Sequence, residues 1–302
     1  MIDWIDFGLV RDFAAEKTDA YRLCTKRDAW AERFRTDVLV SYKTEAARDR
    51  ILQELEDWTR LSNLPVERIF ARYLPKQNAE RQAPKLITGD ATAPLAGTVL
   101  ERGVCYGLDF GAGYSVGLFL DQRENRQFVR RAAPRRLLNC FAYTCSFSVV
   151  AGLVGAETLS IDLSRKSLNR GRDNFVLNRL ATDRHRLLAD DVFAVLPRLA
   201  RKGERFDAII LDPPTFSRSR TGKAWQVEHD FERLLLSALE VAERDAKILL
   251  STNCTRLDER ALEVMGRFCL KATRRAGRFV PSLRLPDFPL GTTARSLWMV
   301  LR

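Results

Sequence analysis

Apolar runs and amphipathic stretches alternate from Arg135 to the end of the chain. Apolar runs at Leu137–Phe141, Thr158–Leu163, His185–Ala189, Phe206–Leu211, Ala246–Thr252, Arg278–Leu285 and Ser296–Leu301 predict strands. Between them, Ser146–Gly155, Arg165–Leu180, Val192–Arg201, Gln226–Glu243 and Asp258–Ala276 predict helices, with Ser164 as an N-cap. Five strand–helix units and a terminal strand pair imply an α/β fold, a doubly wound Rossmann-like sheet of seven strands, over residues 135–302.

The first part of the chain is less regular. Ala14–Arg33 is charged with scattered aromatics. Thr36–Tyr42 alternates like a strand, Glu45–Leu61 carries apolar residues at helical spacing, and Val66–Tyr73 reads as another strand. Gln77–Gly89 is polar and loop-like. A small α+β domain over residues 1–95 is expected. Residues 96–134 would form a β-hairpin and a linking helix. Gly-spaced alternation from Val99 predicts antiparallel strands turning at Gly111 and Gly113, then a charged helix toward Arg131.

The chemistry gathers at predicted strand ends. Ala208–Leu211 runs straight into Asp212-Pro213-Pro214, and the prolines end the strand because they cannot continue the hydrogen-bond ladder. Ligands of open parallel sheets bind outside such carboxyl ends. The first strand ends in Asn139-Cys140-Phe141-Ala142-Tyr143-Thr144-Cys145-Ser146, without the glycine pattern of a dinucleotide loop. No Walker motif is present. Asp162 follows the second strand, where a carboxylate can take ribose hydroxyls, and Asp190-Asp191 follow the third, where one could hold an adenine amino group. Acids at three strand ends without a phosphate loop favour an adenosine ligand lacking a pyrophosphate, and S-adenosyl-L-methionine is the natural candidate.

Composition narrows the setting. Lys plus Arg number 50 against 39 Asp plus Glu, a net charge of +11, which favours a polyanionic partner. The six cysteines include no C-x-x-C pair, so neither a metal nor a disulfide framework is expected. No apolar run approaches the roughly 18 residues of a membrane span. The acidic start is unlike an export signal, and a cytoplasmic setting is expected.

Together, N-C-F-A-Y-T-C-S-F-S, S-I-D-L-S, A-D-D and L-D-P-P-T-F-S-R-S resemble the motifs of class I S-adenosylmethionine-dependent methyltransferases. G-L-F-L-D-Q-R-E-N-R upstream resembles the bacterial large-subunit ribosomal RNA enzymes that make 7-methylguanosine or 5-methylcytidine. The resemblance covers residues 95–302 well and 36–94 weakly. It implies that Phe141, Tyr143 and Thr144 line the cofactor's methionine side, that Asp162 takes the ribose, and that Asn139 and Ser164 also belong to the cofactor site. Asp190 and Asp191 would flank adenine, Phe119 and Asp121 would close over the cofactor, and Asp212, Pro213 and Pro214 would border the methyl and the target base. Cys145 stands where the family usually has glycine.

Cys254 resembles the nucleophile of the 5-methylcytidine enzymes, which must add a thiolate to the ring; guanine N7 needs only positioning. Packing is an equally good account of Cys254. Phe216 is placed either to stack on a flipped base or simply to pack. Arg218, Arg220 and Lys223, and the run Arg123, Arg126, Arg130, Arg131, Arg135 and Arg136, would serve RNA phosphates or a solvated face. The primary expectation is an RNA methyltransferase acting on ribosomal RNA. The rivals are methylation of a small molecule or protein on the same fold, and a cofactor-binding RNA module without turnover.

Overall fold

A computed structural model describes residues 4–75, 81–214, 216–218 and 224–302. The chain divides into two compact units, Met1–Asp121 with Leu285–Thr292, and Gln122–Arg284 with Thr293–Arg302.

The first unit holds a five-stranded sheet in the order β1 (Ala20–Thr25), β2 (Ala29–Phe34), β3 (Asp37–Tyr42), β4 (Arg68–Tyr73) and β5 (Lys85–Thr88). Helix α2 (Glu45–Ser62), capped by Thr44, crosses between the parallel strands β3 and β4. It buries Ile51, Leu55 and Trp58, the apolar stripe visible in the sequence. Helix α1 (Phe7–Ala15) comes first, and the charged stretch Ala14–Arg33 that follows folds mainly as β1 and β2. Two of its charged residues pair: Arg22 and Glu32, both buried on neighbouring strands, form an ion pair at 3.0 Å. The loop-like stretch contributes β5, and residues 76–80 lie outside the described residues.

The hairpin also differs from expectation. Strands β6 (Ala96–Glu101) and β7 (Val104–Asp109) turn at Arg102-Gly103, both in the left-handed region (φ 48° and 76°), not at Gly111 and Gly113. Gly111 instead donates its N–H to the Asp109 carboxylate, in a loop after β7.

The second unit is built on one sheet ordered β10 (His185–Ala189), β9 (Glu157–Asp162), β8 (Arg136–Cys140), β11 (Phe206–Leu211), β14 (Ala242–Thr252), β16 (Arg295–Leu301) and β15 (Gly277–Pro281). Only the pairings of β16 are antiparallel. Helices α3 (Arg123–Ala132), α4 (Ser146–Leu153), α5 (Arg165–Leu177), α6 (Val192–Arg201), α7 (Val227–Leu239) and α8 (Glu259–Ala272) complete the unit. Strand order reverses between β8 and β11, the topological switch point where such sheets bind ligands.

Candidate active site at the strand ends

Register sets the site. Cys140 pairs with Ile161 on one side and Leu211 on the other, so the next residues on the outer strands, Asp162 and Asp212, stand level. Two strand spacings separate them, about 10 Å. Asp162 pairs with Ala189, which puts Asp190 one strand further out.

Between them the chain after β8 makes a strained loop. Phe141, Tyr143 and Cys145 all have left-handed backbones (φ 60°, 48° and 60°) although none is glycine. Hydrogen bonds fix it: Ala142 N–H donates to the Ile161 carbonyl at 2.9 Å and Tyr143 N–H to Asp162 Oδ2 at 2.9 Å. Asp162 Oδ1 accepts from Ser164 N–H at 2.8 Å, while Ser164 Oγ caps α5 by accepting from Ser167 N–H. Burial raises the Asp162 carboxyl above its usual value, opposed by the two backbone bonds from Ser164 and Tyr143. Asp162 thus holds the loop as well as facing the strand end.

Cys145 is fully buried, and burial pushes its thiol up to about 12. Its sulfur fills a notch left by Gly171 of α5: a methyl there would lie 2.4 Å from Sγ. Asn174 of the same helix donates to the Thr144 carbonyl. Thr144 is buried, while Phe141 and Tyr143 are partly exposed. Asn139 lies beneath the loop, donating to Ser148, which bonds Ser160 in turn.

Other expected residues have definite partners. Asp190 accepts from Asp191 N–H and pairs with Arg198, and Asp191 caps α6 through Phe193 N–H. Pro213 is buried and Pro214 exposed. Cys254 is 3% exposed within the apolar core cluster and donates its N–H to Thr252. Phe119 is exposed and Asp121 half-buried at the end of the first unit. After Pro214, β12 (Phe216–Arg218) pairs with β13 (Ala224–Gln226), where a polar loop was expected. The Phe216 and Arg218 side chains, Thr215, Arg220 and Lys223 lie outside the described residues.

The second basic run is not one surface. Arg123 and Arg126 are each 1% exposed. Arg135 pairs with Glu243, and Arg136 with Glu204, at the amino-terminal end of β8, opposite the site. Arg130 is half-buried and Arg131 exposed. Of the run expected to serve RNA phosphates or a solvated face, burial takes Arg123 and Arg126, and ion pairs hold Arg135 and Arg136.

Residue reasoning passed over Gln122 and Asn125. Gln122 donates to Asp212 Oδ2 at 3.3 Å and to Ser251 Oγ at 2.9 Å. Asn125 donates to Gln122 Oε1 at 2.7 Å. Both stand in the quoted D-Q-R-E-N-R segment, three apart and so on one helical face, which was the available signal.

A model of the S-adenosylmethionine-dependent methyltransferases matches residues 70–278, well over half of the chain. Ribosomal RNA large subunit methyltransferase I of Aeromonas salmonicida is 31% identical over 319 residues, covering 95% of this chain and 77% of the relative. YwbD of Bacillus subtilis, provisionally named a ribosomal RNA large subunit methyltransferase, is 33% identical over 192 residues; the match spans 63% of this chain and 48% of that protein. The solved structure of SMU.776, provisionally named a methyltransferase and complexed with SAH, superposes with a TM-score of 0.81 at 23% identity, covering 98% of this chain and 78% of that one. On the family match and the Aeromonas relative, the chain belongs to the S-adenosylmethionine-dependent methyltransferase family.

Proposed function

We propose that the chain methylates a base of large-subunit ribosomal RNA, and that the base atom is guanine N7 rather than cytosine C5. The observation that carries the site assignment is the level placement of Asp162 and Asp212 on either side of the strained β8 loop. The chemistry of the donor set fits an adenosine cofactor. A carboxylate has about four acceptor positions. Asp162 gives one oxygen to each of two backbone N–H groups, which leaves capacity for a ribose diol. A loop without glycine, flanked by carboxylates, suits a diol better than a phosphate.

When bound, the cofactor would supply an electrophilic methyl group. Phe141, Tyr143 and Thr144 would line its methionine side, with Asn139 supporting their loop from below. Asp190 and Asp191 would lie toward adenine. Asp212, Pro213 and Pro214 would hold the edge where donor and acceptor meet. Alignment is most of what such a displacement needs. Cys254 supports the N7 assignment: a thiol packed among core residues is poorly placed to attack a ring carbon. Relatives named for ribosomal RNA and the net charge of +11 support an RNA substrate, with the first unit and the Arg218–Lys223 segment serving its backbone.

The test is transfer of labelled methyl to deproteinised large-subunit RNA from a strain lacking the gene, followed by nucleoside mass spectrometry. Asp212→Ala is expected to lower kcat by about 100-fold or more, the loss of a group that aligns the reaction. Cys254→Ser should keep activity within about threefold, with 7-methylguanosine as product. Loss of transfer in Cys254→Ser with 5-methylcytidine as the wild-type product would reverse the base assignment.

A further inference from the structure

We propose that Gln122 and Asn125 are positioning residues that dictate which face of an amide Asp212 meets, with Trp298 setting the direction of the whole chain of bonds. This rests on the assignment of Asp212 to the methyl-transfer edge. The reasoning starts from the one group that cannot reverse. An indole N–H only donates. Trp298 Nε1 lies 3.0 Å from one terminal atom of Asn125, which is therefore the oxygen. Ser282 Oγ donates to the same atom at 2.7 Å. The other terminal atom of Asn125 is the nitrogen, which donates to Ser296 Oγ at 3.1 Å and to Gln122 at 2.7 Å. The atom of Gln122 that accepts there is Oε1. Its nitrogen must then face Asp212 at 3.3 Å and Ser251 at 2.9 Å.

Every link is built rather than incidental. Gln122, Asn125, Ser251, Ser296 and Trp298 are buried, and Trp298 is clamped by the Phe128 ring stacked at 4.1 Å. In such surroundings an amide turned the wrong way would oppose two acceptors or two donors, and the cost is not relieved by water. The last turn before the site therefore presents a donor to Asp212 Oδ2. That bond anchors the Oδ2 edge of the carboxylate.

The test exploits reversal of the amide. Asn125→Asp keeps the acceptor for Trp298 and Ser282 but removes the donor to Gln122. Gln122 then gains by turning its nitrogen toward position 125, which aims Oε1 at the Asp212 carboxylate. Asp212→Asn restores a donor for that oxygen. Thermal melts of the wild type, both single variants and the double variant form a cycle between two residues that bond opposite ends of Gln122. The expected result is a double variant melting about 2–4 °C above the sum of the single shifts. In methyl transfer, Asn125→Asp is expected to lose roughly tenfold in kcat with cofactor KM within twofold.

The outcomes separate the two layers of the claim. Additive melting shifts with unchanged kcat in Asn125→Asp, while Asp212→Asn is inactive, overturn the amide chain and leave the site assignment standing. Full activity in Asp212→Asn removes the assignment itself and the proposal with it.

Discussion

At the residue scale, the loop after β8 shows how a non-glycine side chain can occupy a left-handed backbone position. Cys145 accepts a left-handed backbone, which costs a non-glycine residue about 1–2 kcal/mol. Its thiol is compensated by burial in the space that Gly171 leaves. Gly171→Ala should overpack the contact and destabilise the protein by about 1–3 kcal/mol. Cys145→Gly combined with Gly171→Ala should melt within a few degrees of the wild type, because the methyl takes the vacated space and glycine relieves the backbone. Equal destabilisation in the single and double variants would show that the two positions are not coupled. His185 gives a pH prediction. It stacks on Phe175 at 4.4 Å and bonds Thr158 at 3.0 Å, and burial lowers its pKa below 6.5, aided by Arg184 and opposed by Asp183. A histidine depressed in the folded state contributes stability that is present above 6.5 and is lost as pH falls through the folded value. Melting temperature should therefore decline below about pH 6.5. His185→Gln should flatten that acid limb; an unchanged limb would assign it to other groups.

At the element scale, α3 departs most from its sequence. Arg123–Ala132 is charged enough to suggest a solvated, RNA-facing helix, yet Arg123, Glu124, Asn125 and Arg126 are buried. Charge is an unreliable guide here because a buried charge is tolerated wherever partners exist, and partners come from other elements. Arg126→Ala is expected to lower the melting temperature by roughly 6–12 °C. RNA affinity per folded molecule, and its salt dependence, should be unaffected. A weakened salt dependence in a fully folded variant would restore the phosphate role. The helices α2, α5, α6 and α8 contrast with α3. Their apolar faces and their caps Thr44, Ser164, Asp191 and Asp258 are local signals, and their positions follow the sequence closely.

At the scale of the whole molecule, net charge says that a polyanion is a suitable partner but not where it lies. Four of the six arginines of the second basic run are buried or held in ion pairs, so RNA affinity should respond selectively. Alanine at Arg218, Arg220 and Lys223 is expected to reduce the slope of log affinity against log salt by about 0.7 per residue. Alanine at Arg135 or Arg136, held by Glu243 and Glu204 at the other end of the sheet, should leave it unchanged. Salt-dependent filter binding with large-subunit RNA checks both.

The sequence by itself determined the α/β alternation, the residues that end β8, β9, β10 and β11, and the resemblance of those ends to a methyltransferase. These are short-range properties: a periodicity, a cap, a proline that stops a ladder. Only the tertiary structure decided that Asp162 and Asp212 stand level, that Asp162 ties down the strained loop, and that Gln122 and Asn125 lead from Trp298 to Asp212. It also decided that Arg123 and Arg126 point inward and that the early charged stretch forms two paired strands. Each of these depends on strand register or on a partner distant in the chain. A carboxylate, an amide or a guanidinium looks the same in a sequence whether its partner is water or another element.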